Sequence, residues 1–243
     1  MENTPYYFAY EKRYQKAYEA GAEYWGHTPD DEELTEKLTE WVNQHNLKGR
    51  RIIEFACGEG ASGVILSKLG CIYQGVDISP TAVQKAKNSL KDYPTAAVTQ
   101  LNMVSHRLDG IYDAVLDVMG FHMLVTDPDR AAYLKNAFSC LKSNAPMFFF
   151  RELYAENAND DFISLFDEWL SITKHDYDTP RQMYFRKDDN DVEILIPYVP
   201  GRSKTKSGYT RELSEAGFIV DLIIETGQSR KLPESVSIYV RKP

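Results

Sequence analysis

The chain has 243 residues, of which 28 are basic and 36 are acidic, giving a net charge of −8. This length fits a single α/β domain with room for an insertion, and the ordinary apolar fraction of 43% argues against wholesale disorder. An acidic chain lacks the broad positive field that holds phosphate backbones, so we expect no nucleic-acid partner.

Cysteine and histidine usage excludes several further classes. Cys57, Cys71 and Cys140 form no CxxC pair, so neither a zinc ribbon nor a disulfide framework is expected. The 5 histidines are scattered, and no metal site is predicted. The N-terminus has no basic segment leading into an apolar run, and no stretch is long enough to cross a bilayer. We therefore expect a cytoplasmic protein without a membrane partner.

The first 48 residues predict two helices. Four tyrosines recur every three or four positions, which places them on one helical face: Tyr7, Tyr10, Tyr14 and Tyr18. The run Thr28-Pro29-Asp30-Asp31 predicts the start of the second helix, because the Thr28 side chain can cap free amides, Pro29 suits the first turn and the acids favour the positive helix end.

From Arg51 onward, strands and helices alternate. Strands are predicted at 51–56, 71–77, 95–101, 112–117 and 147–151, and helices at 61–69, 80–90 and 127–141. A short helix after Thr210 and strands at 218–225 and 236–241 follow. This order predicts an α/β fold with a doubly wound, mostly parallel, seven-stranded sheet of the Rossmann-like kind.

Residues 152–209 break the alternation. An amphipathic helix is predicted at 160–173, and a β-hairpin from 182–187 and 192–197 with its turn at 188–191. We interpret 152–209 as an α+β cap inserted at the carboxyl edge of the sheet, where open α/β sheets bind ligands. The chain is then one domain, 1–243, with an N-terminal helical lid segment, 1–48, and this cap.

A glycine-rich stretch after the first strand predicts a nucleoside-cofactor site. The run Glu54-Phe55-Ala56-Cys57-Gly58-Glu59-Gly60 places small residues just past a strand, where a ligand can approach the backbone. Asp77 ends the next strand and is placed to accept hydrogen bonds from ribose hydroxyls. A dinucleotide is the competing ligand, because Gly58, Gly60 and Gly63 match GxGxxG. Against it, no tyrosine is followed by a lysine four positions later, so the short-chain dehydrogenase pair is absent.

These residues resemble the class I S-adenosylmethionine-dependent methyltransferases, whose first motif is (E/D)xGxGxG. Here Ala56 replaces the first glycine, which leaves less room near the methionine moiety. The resemblance implies S-adenosyl-L-methionine as cofactor. It also implies that the cofactor contacts follow four consecutive strands: Glu54, Ala56, Cys57, Gly58 and Gly60, then Asp77 and Ile78, then Asn102 and Met103, then Asp117 and Val118.

Both ends of the chain carry the resemblance further. The aromatic N-terminal segment is similar to that of the thiopurine and tellurite enzymes, which implies a lid over the methionine end with Tyr14 and Trp25 in contact with the cofactor. Tyr209 to Leu213 and Glu215 to Phe218 resemble the last helix of the family and its turn into a terminal hairpin.

The acceptor is predicted from local charge. His122, beside the fourth-strand motif, and Glu152 are candidate bases for an acceptor that must lose a proton. Gly201 to Arg211 contains Arg202, Lys204, Lys206 and Arg211 without an acid, and Arg151 ends the fifth predicted parallel strand. Guanidinium groups bind carboxylates through both oxygens. We therefore predict O-methylation of a carboxylate, with His122, Arg151 and Arg202 as catalytic residues, on a small metabolite or a peptide C-terminus.

Two alternatives stay open. Aromatic residues in the cap, including Phe166 and Trp169, suit N- or S-methylation of a neutral, flat small molecule. The chain could also be a non-catalytic S-adenosylmethionine-binding subunit with the cap as a partner surface. The oligomeric state is not predicted by the sequence.

Overall fold

The element order follows the predicted alternation closely. The computed structural model describes residues 4–106, 109–177, 179–187, 190–196, 199–227 and 234–243. Its strands are β1 (Arg51–Phe55), β2 (Ile72–Asp77), β3 (Ala96–Gln100), β4 (Ala114–Val118), β5 (Pro146–Leu153), β6 (Arg181–Lys187), β7 (Asn190–Ile196), β8 (Ile219–Thr226) and β9 (Ser235–Arg241). Its helices are α1 (Ala9–Glu19), α2 (Glu32–Gln44), α3 (Ala61–Lys68), α4 (Pro80–Ser89), α5 (Asp127–Cys140), α6 (Phe166–Thr173) and α7 (Lys206–Glu215).

Within these residues one seven-stranded sheet has the order β3-β2-β1-β4-β5-β9-β8. The first five strands along the chain are parallel, and β9 runs antiparallel between β5 and β8. The predicted fold class is therefore confirmed. The order reverses between β1 and β4, so the loops after these strands diverge and leave a crevice at the carboxyl edge.

Alternating side chains on the strands build a core on each face of the sheet. In β5, Met147 and Phe149 pack with α5 and α7, whereas Phe148 and Phe150 pack with α2, α3 and α4. This continuous apolar run is what a parallel strand buried on both faces requires. The sheet is therefore covered by helices on both sides.

The N-terminal segment divides into two functionally different parts. Helix α2 buries Leu34, Leu38, Trp41 and Val42 against the sheet and so belongs to the core. Asp31, rather than Thr28, caps it by accepting a hydrogen bond from the Leu34 amide. Helix α1 instead packs Ala17 against Ile194 and Ile196 of β7. Only the part before α2 is therefore a candidate lid, which shortens the predicted segment 1–48.

The cap lies between β5 and α7, so it spans residues 154–205 rather than 152–209. Its helix begins at Phe166 instead of 160, because contacts with α5 and with the residue before α7 hold residues 160–163 in a non-helical segment. Asp127 and Ile163 exchange hydrogen bonds at 2.7 and 2.8 Å, and Asp160 accepts from Thr205. The predicted hairpin is present as β6–β7; its turn residues Asp188 and Asp189 lie outside the described residues. In the described part of the chain no helix is long and apolar enough to cross a membrane.

Candidate functional site

A pocket opens at the carboxyl ends of β1 to β4, beneath the N-terminal segment. It encloses about 530 Å³ of empty space, open solvent included. Its lining comes from the N-terminal tyrosines, the loops after the four strands and one residue of α5: Tyr7, Tyr10, Tyr14, Ala56, Asp77, Ile78, Asn102, Met103, Val104, Gly120, Met123, Leu124 and Tyr133. The crevice predicted by the strand order is thus a mostly apolar pocket with a few polar groups, the usual composition of a small-molecule site.

Asp77 is the carboxylate at the end of β2. Its Oδ2 accepts the Gly58 amide at 2.9 Å and its Oδ1 accepts the Ser79 amide at 2.8 Å. Burial raises the pKa of Asp77 to about 6. Each carboxylate oxygen has a second lone pair, so the group can accept further hydrogen bonds from a diol in the pocket.

The loop after β1 is shaped for close approach of a ligand. Ala56 has φ +51° and Gly58 has φ +50°, a backbone region that side chains disfavour. A Cβ on Gly58 would lie 2.8 Å from the hydroxyl oxygen of Tyr14. The absent side chain therefore makes room for Tyr14, which lines the pocket from α1.

Asn102 and its neighbours line the pocket beyond β3. The Tyr7 hydroxyl lies 3.3 Å from Asn102 Oδ1, which also accepts the Val104 amide at 3.0 Å. Ile78 and Met103 lie on the same wall. Polar edges beside apolar side chains suit a flat heterocycle such as a nucleobase.

Seven predicted cofactor residues are not part of this lining: Trp25, Glu54, Cys57, Gly58, Gly60, Asp117 and Val118. Glu54 points to the other face of the sheet, where Ser62 and Tyr73 donate hydrogen bonds to it and burial raises its pKa to about 8. Cys57 packs in the core on that face, and Val118 packs against the same core. Gly60, with φ +79°, caps α3, and a Cβ there would lie 3.0 Å from Ala86 Cβ. Gly60 and Cys57 therefore shape the loop from behind rather than lining the pocket.

Two buried carboxylates fasten the N-terminal segment over the pocket. Glu11 of α1 accepts hydrogen bonds from the Ser79 hydroxyl and from the Thr81 hydroxyl and amide. Glu59 accepts the Tyr18 hydroxyl at 2.5 Å and the Trp25 and Gly26 amides. The partners of Glu11 follow β2 and Glu59 itself follows β1, both beside the pocket, so the tyrosines of α1 are held above it.

Trp25 was predicted to contact the cofactor, but its ring lies elsewhere. It packs with the cluster formed by Ala17, Ala22, Ile194 and Ile196, and Arg13 lies over it at 5.6 Å. Only its backbone amide reaches toward the glycine-rich loop, through Glu59. Trp25 therefore anchors the lid, whereas Tyr14 lines the pocket.

Beyond β4, three buried titratable groups meet. His122 donates its backbone amide to Glu152 Oε2 at 2.6 Å, and its Nδ1 lies 3.0 Å from the same oxygen. Asp117 accepts the Gly120 amide at 2.7 Å and the Tyr133 hydroxyl, and it lies close enough to Glu152 for the two carboxyl groups to influence each other's ionisation. Burial raises the pKa of Asp117 well above its usual range and that of Glu152 to about 7.

The same environment keeps His122 neutral. Burial lowers its pKa to about 4, and the positive charges of Arg130 and Arg13 act in the same direction. Arg130 also holds the turn in place by donating to the Phe121 and Leu124 carbonyls at 3.1 and 2.9 Å. At neutral pH the imidazole on this fixed turn is therefore unprotonated, with a ring-nitrogen lone pair that can act as a hydrogen-bond or proton acceptor.

Arg151 and Arg202, predicted as catalytic residues, are engaged in structural contacts. Arg151 lies at a bulge of β5 with φ +57° and donates to Glu33 at 2.5 Å and to Ser235. Arg202 is fully buried; it pairs with Asp127 at 2.8 Å and donates to the Val125 and Asp161 carbonyls. Because their donors point at protein partners, we correct both assignments: these side chains join the cap and α2 to the sheet.

The remaining cations of Gly201 to Arg211 are also partnered. Lys204 is buried near Asp127 and Glu212, Lys206 pairs with Glu225, and Arg211 donates to the Asp160 carbonyl. The predicted basic surface at the acceptor site therefore does not form.

Several lining residues were not predicted from sequence. Tyr7 and Tyr10 belong to the tyrosine face from which only Tyr14 was chosen, so the helical spacing contained that signal. Tyr133 lies on α5, where nothing in the sequence separates it from ordinary core residues. Glu152 was weighed as a base, but its pairing with Asp117 had no sequence signal.

Comparisons with known proteins agree with this geometry. Residues 52–144 match the family model described as a methyltransferase domain. A ubiquinone biosynthesis O-methyltransferase of Coxiella burnetii is 30% identical over 114 residues, 44% of this chain and 45% of that protein. A ribosomal protein L11 methyltransferase of Pectobacterium atrosepticum is 33% identical over 156 residues, 57% of this chain and 49% of that protein. The chain thus spans about half the length, or less, of the curated relatives it matches.

Solved structures share the whole fold. An S-adenosylmethionine-dependent methyltransferase from Clostridium acetobutylicum superposes with a TM-score of 0.64 at 13% identity, covering 97% of this chain and 98% of that chain. The amino pentose methyltransferase CalS10 from Micromonospora echinaspora, with S-adenosylmethionine bound, gives 0.63 at 13% identity and covers 100% of both chains. The fold is therefore that of the class I S-adenosylmethionine-dependent methyltransferases.

Proposed function

We propose that this protein transfers a methyl group from S-adenosylmethionine to a hydroxyl or amino group of a small molecule or peptide. The observation that carries the proposal is the position of Asp77, whose carboxylate lies in a pocket at the strand-order reversal with lone pairs left for ribose hydroxyls. The methyltransferase domain match over residues 52–144 and the solved neighbours support it.

The pocket fits the cofactor, part by part. Asp77 would bind the ribose, and the wall of Ile78, Asn102 and Met103 would receive the adenine. The tight turn at Gly58 lets the Tyr14 hydroxyl approach it closely, so Tyr14 would bound the methionine end. When bound, S-adenosylmethionine supplies a methyl group on a positively charged sulfur. The protein must then orient the acceptor and exclude water.

The acceptor proposed here is one that loses a proton, because a neutral His122 lies beside the turn that lines the pocket. Two solved neighbours are compatible with such chemistry, since one is a glycopeptide N-methyltransferase and the other is an amino pentose methyltransferase. The curated O-methyltransferase of ubiquinone biosynthesis is compatible as well.

O-methylation of a carboxylate stays a prediction from sequence with less support. A carboxylate needs no base but does need cations to orient it, and the described cations of residues 201–211 have protein partners. The fold is also compatible with other acceptors, since one solved neighbour is a magnesium protoporphyrin IX methyltransferase. The thiopurine-like branch, a cytoplasmic location and the absence of nucleic-acid and membrane partners also stay predictions.

A thermal-shift comparison tests the cofactor first. S-adenosylhomocysteine, S-adenosylmethionine and NAD are each added at a hundredfold excess over Kd to wild type and Asp77→Asn. The adenosyl ligands should raise Tm by about 5–10 °C, and the shift should be lost in the variant. A shift with NAD alone would overturn the proposal.

Activity is tested by transfer of a labelled methyl group from S-adenosylmethionine to phenols, amino sugars, thiols and carboxylic acids. Turnover of a phenol or an amine, lost in His122→Gln with cofactor binding retained, supports base-assisted transfer. Turnover of carboxylic acids alone would restore the sequence prediction. Tight cofactor binding with no turnover of any acceptor would favour the non-catalytic subunit.

A further inference from the structure

We propose that Glu152 is the positioning residue for His122: with one proton held between Glu152 and Asp117, its carboxylate keeps the proton of the imidazole on Nδ1 and leaves Nε2 to accept a proton from the methyl acceptor. This inference rests on the proposed function, but its structural part can be tested without any acceptor. It assigns distinct roles to three groups that meet at the ends of β4 and β5.

The first support is the double contact between Glu152 and His122. One carboxylate oxygen, Oε2, lies 2.6 Å from the backbone nitrogen of His122 and 3.0 Å from its Nδ1. A backbone amide can only donate, so this oxygen acts as an acceptor toward His122. The imidazole then donates through Nδ1, which selects one tautomer.

The second support is the other oxygen of Glu152. Oε1 is buried and receives no donated hydrogen bond from the described residues. A buried acceptor without a donor destabilises the folded protein, so a donor for Oε1 is expected nearby. Asp117 lies near this carboxyl group, and burial together with the charge of Glu152 raises the pKa of Asp117 well above its usual range. A protonated Asp117 beside an ionised Glu152 removes the repulsion between two buried carboxylates and would supply the donor that Oε1 lacks.

The third support is a bulge that aims Glu152 at the turn. The pairing of β5 with β9 shifts register between Phe149 and Glu152, and Arg151 within the bulge has φ +57°. The extra residue directs Arg151 to Glu33 of α2, on the far face, and Glu152 to His122, on the pocket side. Bulges that re-aim a side chain are common beside functional sites.

The remaining edge of the imidazole faces the space between pocket and cap. Nε2 of His122 has no hydrogen-bond partner in the described part of the chain. A Cβ on Gly201 would lie 3.8 Å from the adjacent Cδ2, and Gly120 and Met123 of the same turn line the pocket. Nε2 therefore lies without a partner next to the pocket wall and beside a residue without a side chain, and this is the side from which an acceptor would reach it.

The proton transfer balances without any further reagent. The O–H or N–H bond of the acceptor breaks, its electron pair stays on the acceptor as the nucleophilic lone pair, and Nε2 binds the proton to give an imidazolium. The charged groups facing His122 are Asp117 on β4, Glu152 on β5, Arg130 on α5 and Arg13 on α1. The negative charge of the ionised Glu152 then offsets the repulsion between the imidazolium and the guanidinium groups of Arg130 and Arg13.

The test is nitrogen NMR of the protein labelled with ¹⁵N in its histidine rings, from pH 5.5 to 8. The signals of His122 are those missing from His122→Gln. Wild type should show a protonated Nδ1, an unprotonated Nε2 and no titration in this range. Glu152→Gln should lose this single tautomer, because the amide can donate to Nδ1. Asp117→Asn should keep it, because an amide N–H replaces the acid O–H toward Glu152.

The controls separate this inference from the proposed function. Glu40→Gln removes an exposed, distant carboxylate and should leave the His122 signals unchanged. Calorimetric binding of S-adenosylhomocysteine is measured on the same samples, and its absence in wild type would count against the proposed function alone. With binding intact, an Nε2-protonated or charged His122 in wild type overturns the inference, as does an Asp117→Asn spectrum that matches Glu152→Gln. If Glu152→Gln does not fold, the wild-type and Asp117→Asn spectra decide.

Discussion

The two halves of the carboxyl edge of the sheet use their polar groups in opposite ways. In the half after β1, β2 and β3, Asp77 and Asn102 lie at the pocket wall with hydrogen-bonding capacity left for a ligand. In the half after β4 and β5, most of the hydrogen-bonding capacity of the charged side chains is used by other side chains and by backbone groups, as in Asp117, Glu152 and Arg202. The first half therefore keeps polar groups that can bind a ligand, whereas the polar groups of the second half fix the position of His122.

This difference explains which of the residues predicted from sequence motifs lie at the pocket in the structure and which do not. The cofactor half is recognised through backbone shape and one carboxylate, and these follow from residue type and position along a strand. The acceptor half depends on which charged groups become partners, and such pairing links residues more than 70 positions apart, as in Arg202 and Asp127. Four predictions would break or sharpen this contrast, ordered here from the largest expected effect.

Arg202→Met should lower the free energy of unfolding by about 2–4 kcal/mol, because it removes one charged partner of the half-buried Asp127 and the donor to the Val125 and Asp161 carbonyls. Urea denaturation measures the change. Arg211→Met, on an exposed neighbour in the same basic segment, is the matched control and should cost no more than about 0.5 kcal/mol. Equal stability of the two variants would show that Arg202 is available for a substrate after all.

Asp77→Asn should weaken S-adenosylhomocysteine binding by about 2–3 kcal/mol, or roughly 30- to 150-fold, because charge-assisted hydrogen bonds to the ribose become neutral ones. Titration calorimetry measures the affinity. Asp113→Asn, at the opposite edge of the sheet beside Lys142, is the control and should bind as wild type does. An unchanged affinity in Asp77→Asn would place the nucleoside elsewhere.

Glu54→Gln should flatten the pH dependence of stability. The folded pKa of Glu54 is raised to about 8 from an ordinary value of 4.5. The stabilisation from this group is therefore complete below about pH 4.5 and is lost as pH rises toward 8. In wild type this loss amounts to at most about 1.4 kcal/mol per pH unit inside that window. Denaturation at pH 5.5, 6.5 and 7.5 compares the slopes.

The glutamine keeps a polar contact with Ser62 and Tyr73 but cannot ionise, so its slope should be smaller than that of wild type. Asp77, Asp117 and Glu152 also contribute to the slope, since their folded pKa values are raised as well. Glu40→Gln serves as the exposed control with an unchanged slope. A slope in Glu54→Gln equal to that of wild type would mean that Glu54 is ionised in the folded protein.

Gly58→Ala should cost about 1 kcal/mol of stability from its positive φ and should also weaken S-adenosylhomocysteine binding, because the new Cβ displaces the Tyr14 hydroxyl. Gly49→Ala is a matched control: its φ is +73°, and nothing lies within 4 Å of its added Cβ. The control should lose similar stability and no affinity. The same affinity in both variants would remove Tyr14 from the cofactor site.

Prediction from sequence was accurate where a residue's neighbours are set by local order. The strand and helix alternation, the turn at Gly58 and the place of Asp77 follow from spacing, glycine and strand ends, and the structure has them there. The observed ends of helices and strands differ from the predicted ones where residues distant in sequence form hydrogen bonds with the segment. Helix α6 starts at Phe166 because Asp127 and Asp160 hold the residues before it.

The sequence by itself determined the sheet and the edge at which a cofactor would bind, because hydrophobic periodicity and glycine conformation act over a few residues. It did not determine which charges would be neutralised inside the protein. The tertiary structure alone decided that Arg151 and Arg202 bind carboxylates of the chain, and that Glu152 meets Asp117 and His122. A buried charge is stabilised only by the partner that folding brings to it, and that partner can lie anywhere along the chain.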